Sequence, residues 1–366
     1  MQISITDPVY QTTLFTIILI ALTALSIRKD SIPHEMSHSY TDELKGLAVL
    51  MIVFSHIGYF LFTDHRFLFP LSVSAGVGVN IFLVLSGFGL TLSANKKKLG
   101  IFEFYKKRFK NIFIPMWIVF SLIILLDYFL LNKTYGTNVI IRSLLGFYPY
   151  ADIYLAINSP LWYFSFILFY YLMFPLVYSN KRKLISVLVV LVLSYFVTTL
   201  KLPIDKDVLK LYKLHFLAFP LGMFIAYVKD LGIGKRFRQS LSGLFNKPVL
   251  KSVMKYIFLV LLSIAFGYTA IHSGIGEKLI VEQVISIVSV GILLLVFLIK
   301  DFHSNLLVIL GKYSYEIYLI QWPLMYRYDF IYKYVPAYLG TLLYIAVFII
   351  IGFVLNKITK VLVKSD

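Results

Sequence analysis

No cysteine occurs in the 366 residues. That removes disulfides, zinc thiolate sites and acyl transfer through a cysteine, along with any argument about redox compartment. Charge is scarce as well: Asp, Glu, Lys and Arg make up 14% of the chain, and only 18 residues are acidic. Other acyl-transfer signatures are absent, since no His is followed five residues later by Asp and no G-x-S-x-G elbow occurs. The glycines between Gly76 and Gly89 do not have phosphate-loop spacing, and no Lys-Ser/Thr pair follows them.

What is present is apolar. Hydrophobic residues make up 59% of the chain and mean hydropathy is +0.83, which identifies an all-α, polytopic membrane protein. The net charge of +17 has a simpler cause than nucleic acid, because basic residues gather on one side of a membrane protein. The first apolar run, 9–27, has its Arg28 and Lys29 after it and no basic region before it, so it reads as a retained helix rather than a secretory signal. Further runs fall near 44–63, 73–93, 111–131, 160–178, 184–200, 214–228, 253–271, 280–299, 306–326 and 337–356. These predict about eleven spans, or ten if one of the interrupted runs does not cross. Connections on one side carry 24 Lys and Arg and those on the other carry 10, with Lys312 inside a run. The basic side is the cytosolic one, which places the N-terminus outside and the C-terminus inside. Residues 1–39 are an extra helix with a cytosolic linker, ahead of a membrane domain over 40–366.

The most informative stretch is YTDELKGLAVLMIVFSHIGYF, Tyr40 to Phe60. Lys45 and His56 are eleven residues apart, three helical turns plus about 20°, so they share a face about 16 Å apart along the axis. Asp42 lies one turn earlier on that stripe. An imidazole at membrane depth is costly and faces a protein interior or a wet cavity. KKKLGIFEFYKKRFKNIFIPMW, Lys96 to Trp117, is the most basic part of the chain. It predicts an interfacial helix against membrane lipid, ended where Pro115 opens the next span, with Lys107, Arg108 and Lys110 available to the phosphates of a cytosolic donor.

Asn80 and Ser86 are the polar positions of the glycine-rich third run, and Asn80 is placed to orient a buried group. Trp162 and Tyr163 open an aromatic run. In LGKYSYEIYLIQWPLMY, Ser314, Glu316, Tyr318 and Gln321 are polar groups in an apolar helix that Pro323 interrupts. A histidine base needs an orienting partner, and Glu316 or Asp127 is a candidate, while Glu316 also has Lys312 one turn away. No resident metal is expected.

DELKGLAVLMIVFSH, with Lys45 and His56, resembles the opening motif of the membrane-bound acyltransferase-3 family. GVNIFLVLSGF, FYKKRFKNIFIPMW, SPLWYFSFILFYYLMFP and LGKYSYEIYLIQWPL resemble four later signatures in the same order, so the resemblance covers about residues 40 to 355. Four positions depart from the family pattern: Asn80 where Asp is common, Asn111 where a second Arg is frequent, Ile167 where Glu is frequent and Gln321 where His is frequent. The resemblance implies a bacterial plasma-membrane O-acyltransferase. Such an enzyme takes an acyl group, usually acetyl, from cytosolic acyl-coenzyme A and places it on a hydroxyl of a cell-surface glycan or lipid-linked saccharide. It leaves room for partnership with other envelope-glycan synthesis proteins. Ending at Asp366, the chain corresponds to the form without an added hydrolase-like domain. On this reading Lys45, Lys107, Arg108 and Lys110 hold the anionic donor, and His56 is a general base or transient acyl carrier, with Glu316 or Asp127 as the candidate for its partner. The competing classes are a proton-coupled transporter or glycan flippase, in which His56 relays protons, and a scaffold of an envelope-synthesis complex.

Overall fold

Apolar runs of this length satisfy their own backbone amides only as helices when no water is at hand. The computed structural model describes residues 2–29, 38–96, 100–151, 157–233, 248–274 and 278–364. Its helices are α1 (Pro8–Leu25), α2 (His38–Ser55), α3 (Ala75–Lys96), α4 (Ile101–Leu131), α5 (Thr137–Leu144), α6 (Trp162–Val177), α7 (Lys183–Thr199), α8 (Lys206–His215), α9 (Ala218–Asp230), α10 (Pro248–Ile271), α11 (Leu279–Ile299), α12 (Asn305–Lys312), α13 (Ser314–Tyr326) and α14 (Ala337–Lys364). The only sheet among the described residues is a two-stranded antiparallel ribbon, β1 (Ile27–Lys29) with β2 (Phe302–Ser304). Ten helical stretches among the described residues are long and apolar enough to cross a membrane.

Three predicted boundaries differ. The run at 306–326 is not one helix but the pair α12 and α13, broken at Tyr313. The run at 214–228 is likewise two helices, since α8 begins at Lys206 and Phe216 and Leu217 separate it from α9. Conversely, no break occurs at Pro115, and the basic stretch and the fourth span form one 31-residue helix, α4, about 46 Å long. Proline removes one amide from the ladder, the one that would reach the Asn111 carbonyl. Asn111 is exposed, and beside it the Tyr315 hydroxyl donates to the Ile112 carbonyl at 2.6 Å. A helix longer than a hydrocarbon core of about 30 Å projects its first turns beyond it.

Two crossings bring backbones into direct contact. A Cβ on Gly46 of α2 would lie 1.9 Å from the Leu307 carbonyl oxygen, and one on Gly311 of α12 would lie 1.6 Å from that of Asp42. The same reciprocity joins α3 to α9, where a Cβ on Gly87 would be 2.2 Å from the Phe219 oxygen and one on Gly222 2.0 Å from the Val84 oxygen. Small residues permit this approach where lipid supplies no hydrophobic drive between helices. α1 belongs to the same body: Phe15 is fully buried, edge-on to Phe54 at 5.3 Å.

Polar contacts sort onto two faces. On the basic face, buried Lys300 pairs with Glu43, which also accepts from the Ser304 amide at 2.9 Å, and Lys183 pairs with Asp230 at 2.6 Å. The ribbon of β1 and β2 joins two loops of that face. On the opposite face, buried Asp127 accepts from Arg327, Tyr135 and Tyr328. Every one of these contacts joins connections that the Lys and Arg distribution assigns to the same side.

The crossings predict a clear contrast in thermal unfolding of the detergent-solubilised protein. Gly46→Leu should lower the melting temperature by several degrees or prevent folding. Gly89→Ala, whose Cβ meets nothing within 4 Å, should leave it unchanged or raise it slightly, because alanine is the better helix former by about 0.5 to 1 kcal/mol.

Candidate active site

α2 changes geometry at the residue that matters most. His56 is the first residue of a π-helical segment, His56–Leu61, in which the wider turn shifts every later side chain around the axis. The stripe predicted from Lys45 to His56 survives this change, because both side chains line one cavity of about 760 Å³ walled by α2, α3, α4, α6, α8, α12, α13 and α14. At the basic end the wall includes Lys45, Asn111, Lys312, Glu316 and Asn356, and at the other end it includes Val73, Leu211 and Gly274. His56 therefore lies in the wall of a cavity, with Gln321, Trp322 and Phe60 around its ring. The same cavity wall includes Lys45 and Lys312 near the basic face and Val73 and Gly274 in connections of the opposite face.

The partner of His56 is an amide. Gln321, wholly buried in α13, places Oε1 3.0 Å and Nε2 2.7 Å from His56 Nδ1. Trp322, the next residue, meets the imidazole edge-on at 5.1 Å, and Phe60 lies 6.0 Å from it. The carboxylates considered from sequence are engaged elsewhere. Glu316 lines the basic end of the cavity and accepts from Asn356 Nδ2 at 2.7 Å. Asp127 belongs to the cluster on the opposite face. The reason is register: Glu316 and Gln321 are five residues apart in α13, nearly a turn and a half, so they point to different levels and directions.

The other residues singled out by sequence divide into walls and supports. Asp42 pairs with Lys45 at 3.0 Å, with both side chains about one-third exposed. Ser86, Trp162, Ser314 and Tyr318 line the cavity, and the Tyr318 hydroxyl donates to the Pro160 carbonyl at 2.6 Å. Arg108 stands one layer back, its guanidinium 5.1 Å from the ring of Tyr171, a wall residue. Lys107 and Lys110 lie on the same helix outside the lining.

Asn80 orients a group that the sequence reading passed over. Its Oδ1 is 2.8 Å from Nδ1 of His215, and its Nδ2 donates to Ser286 Oγ at 2.7 Å. His215 ends α8 and is 2% exposed, stacked on Trp162 at 5.8 Å with 17° between the planes. It lines the same cavity as His56. The available signal was an ionisable residue inside KLHFLAFPLG, a stretch otherwise poor in polar side chains. Among the described residues, no group of three His, Cys, Asp or Glu side chains converges as metal ligands.

A family described as an acyltransferase domain matches the chain over residues 38–357. Comparison with curated proteins finds no match, and comparison with solved structures finds none either.

The cavity makes a testable statement about access, helped by a chain with no native thiol to remove. Asn111→Cys, Ser314→Cys and Ser55→Cys should react with a small water-soluble methanethiosulfonate reagent. Ser289→Cys, fully buried away from the lining, should not. Protection of Ser314→Cys and Ser55→Cys at the level of Ser289→Cys would mean that the chamber is closed to water.

Proposed function

The chain belongs to the acyltransferase-3 family, and from that premise we propose that this multi-pass membrane acyltransferase carries an acyl group across the bilayer plane. The donor is acyl-coenzyme A from the cytosol, with acetyl as the first acyl group to test. The acceptor is a hydroxyl of a cell-surface glycan or its lipid-linked precursor on the other side of a bacterial plasma membrane. One observation carries the reading: a single cavity is lined by Lys45 and Lys312 of the basic face, by His56, and by Val73 and Gly274 of connections on the other side.

The roles follow from the chemistry of the walls. Ammonium and guanidinium groups suit phosphates, so Lys45 and Lys312 at the mouth, with Arg108 behind Tyr171, favour the nucleotide end of the donor. Lys107 and Lys110 add positive potential on the exposed part of α4. The apolar middle of the chamber, with Ile52, Phe82 and Ile167 in its wall, accepts the uncharged pantetheine arm and thioester.

His56 meets that thioester. With Nδ1–H donating to Gln321 Oε1, the Nε2 lone pair is free to attack the carbonyl or to take a proton. The amide also serves the opposite arrangement, in which Nδ1 accepts from Gln321 Nε2–H. Gln321 therefore supports the ring whether Nδ1 carries a proton or a lone pair. A carboxylate in its place could serve only a protonated Nδ1.

Liposomes holding the purified protein and labelled acetyl-coenzyme A test the reading. His56→Ala should lower donor consumption by about 10² to 10⁴, equivalent to about 3 to 5 kcal/mol of barrier. Lys45→Ala should raise the donor KM about tenfold while leaving kcat within a few-fold. Undiminished donor consumption by His56→Ala, or saccharide movement across the bilayer with no donor present, would point to a transporter instead.

A further inference from the structure

Two histidines face one chamber, and acyl transfer from a thioester to an alcohol has two separate demands: a group that handles the acyl carbon and a base that takes the hydroxyl proton. We propose that His215 is the acceptor-side base, leaving His56 free to carry the acyl group; this rests on the acyltransferase reading above.

The hydrogen bonds around His215 select its tautomer. Asn80 Nδ2 donates to Ser286 Oγ, which leaves Asn80 Oδ1 as the atom facing the ring. A carbonyl oxygen only accepts, so Nδ1 of His215 carries the proton and Nε2 keeps its lone pair. Nε2 makes no hydrogen bond among the described residues. An imidazole that is 2% exposed, fixed through one nitrogen and unpartnered at the other in a cavity wall, is the arrangement of a poised base. Packing alone would not require the Asn80 and Ser286 relay, since a phenylalanine stacks on Trp162 equally well.

Its position is on the acceptor's side. His215 follows the connection opposite the basic face, and Leu211, Leu214 and Gly274 line the chamber near it. Trp162, whose indole stacks on His215, adds an aromatic surface to the same part of the cavity wall.

The steps balance. His56 Nε2 attacks the thioester carbonyl and the C–S bond breaks. Coenzyme A leaves as the thiolate and is protonated by water at the basic face. The acyl group now sits on His56 Nε2, with the Nδ1 proton still held by Gln321 Oε1. The saccharide oxygen then attacks the acyl carbon while its proton passes to His215 Nε2. The C–N bond breaks, returning the lone pair to His56, and His215 releases its proton to water. The sum is one thioester and one alcohol converted to one ester and one thiol.

The test uses two nucleophiles with the full-length protein in liposomes and acetyl-coenzyme A as donor. Methyl glucoside needs a base to lose its hydroxyl proton, whereas hydroxylamine attacks acyl groups without one. His215→Asn should lower transfer to methyl glucoside by about 10² to 10⁴ and keep transfer to hydroxylamine within a few-fold of native. Asn80→Leu, which removes the group that positions the ring, should show the same split with a smaller loss. Equal losses on both nucleophiles would make His215 a structural or donor-side residue, and an undiminished methyl glucoside rate would make it idle; either overturns the proposal. His56→Ala separates this from the wider reading: should it retain native transfer to both nucleophiles, the acyl-carrier role fails whatever His215 does.

Discussion

The helices that wall the chamber are fixed where glycines let backbones touch, most closely at two crossings. Gly46 against the Leu307 carbonyl and Gly311 against the Asp42 carbonyl lock α2 onto α12, and Gly87 with Gly222 locks α3 onto α9. Lipid is as apolar as leucine, so the gain comes from close packing and not from hiding hydrophobic surface from water. The consequence is local. The α2 and α12 contact lies toward the basic end, and beyond it the chain is released to do other things: α12 ends one residue past Gly311, α13 departs in a new direction, and α2 widens into a π-helical segment at His56. Both α13 and the widened turn face the space so created. α8 and α9 behave similarly, breaking at His215 a few residues before the Gly222 contact.

Charge is distributed with the same economy. The strongly buried ion pairs, Glu43 with Lys300 and Asp127 with Arg327, lie at the two rims, where each acquires further hydrogen bonds. Between them the two histidines are held by neutral amides, Gln321 and Asn80. A carboxylate beside either ring would bring a charge into the centre of the protein, with a desolvation penalty of several kcal/mol that only a well-bonded partner offsets. Amides fix ring orientation without that charge, and they leave the ring neutral and nucleophilic. The one carboxylate in the cavity wall among the described residues, Glu316, is at the basic end, where Asn356 bonds it.

The four departures from the motif pattern now have a common location. Asn111, Ile167 and Gln321 are in or against the cavity wall, and Asn80 holds a wall residue. Substitutions that would look like noise along the chain are neighbours in space. None of the four side chains in this chain, Asn111, Ile167, Gln321 and Asn80, is ionisable.

Much of this was legible in the residues themselves. Composition and the lengths of the apolar runs determined an all-helical membrane protein with ten or eleven candidate crossings, because hydrocarbon leaves the backbone no other satisfied state. Three helical turns between Lys45 and His56 put them on one face without reference to any other helix. Pairings between helices were not legible, since periodicity states which face a residue occupies and not what lies opposite it. Glu316 was a reasonable partner for His56 by residue type, yet register in α13 presents Gln321 instead. His215 carried no local pattern, and only the packing of α3, α6, α8 and α11 brings Asn80, Trp162, Ser286 and that imidazole together. The sequence by itself determined the solvent and the helical class and singled out the first histidine; the tertiary structure alone decided where helices break, the partners and the second histidine, because hydrogen bonds between helices depend on crossing points that glycine contacts set far along the chain.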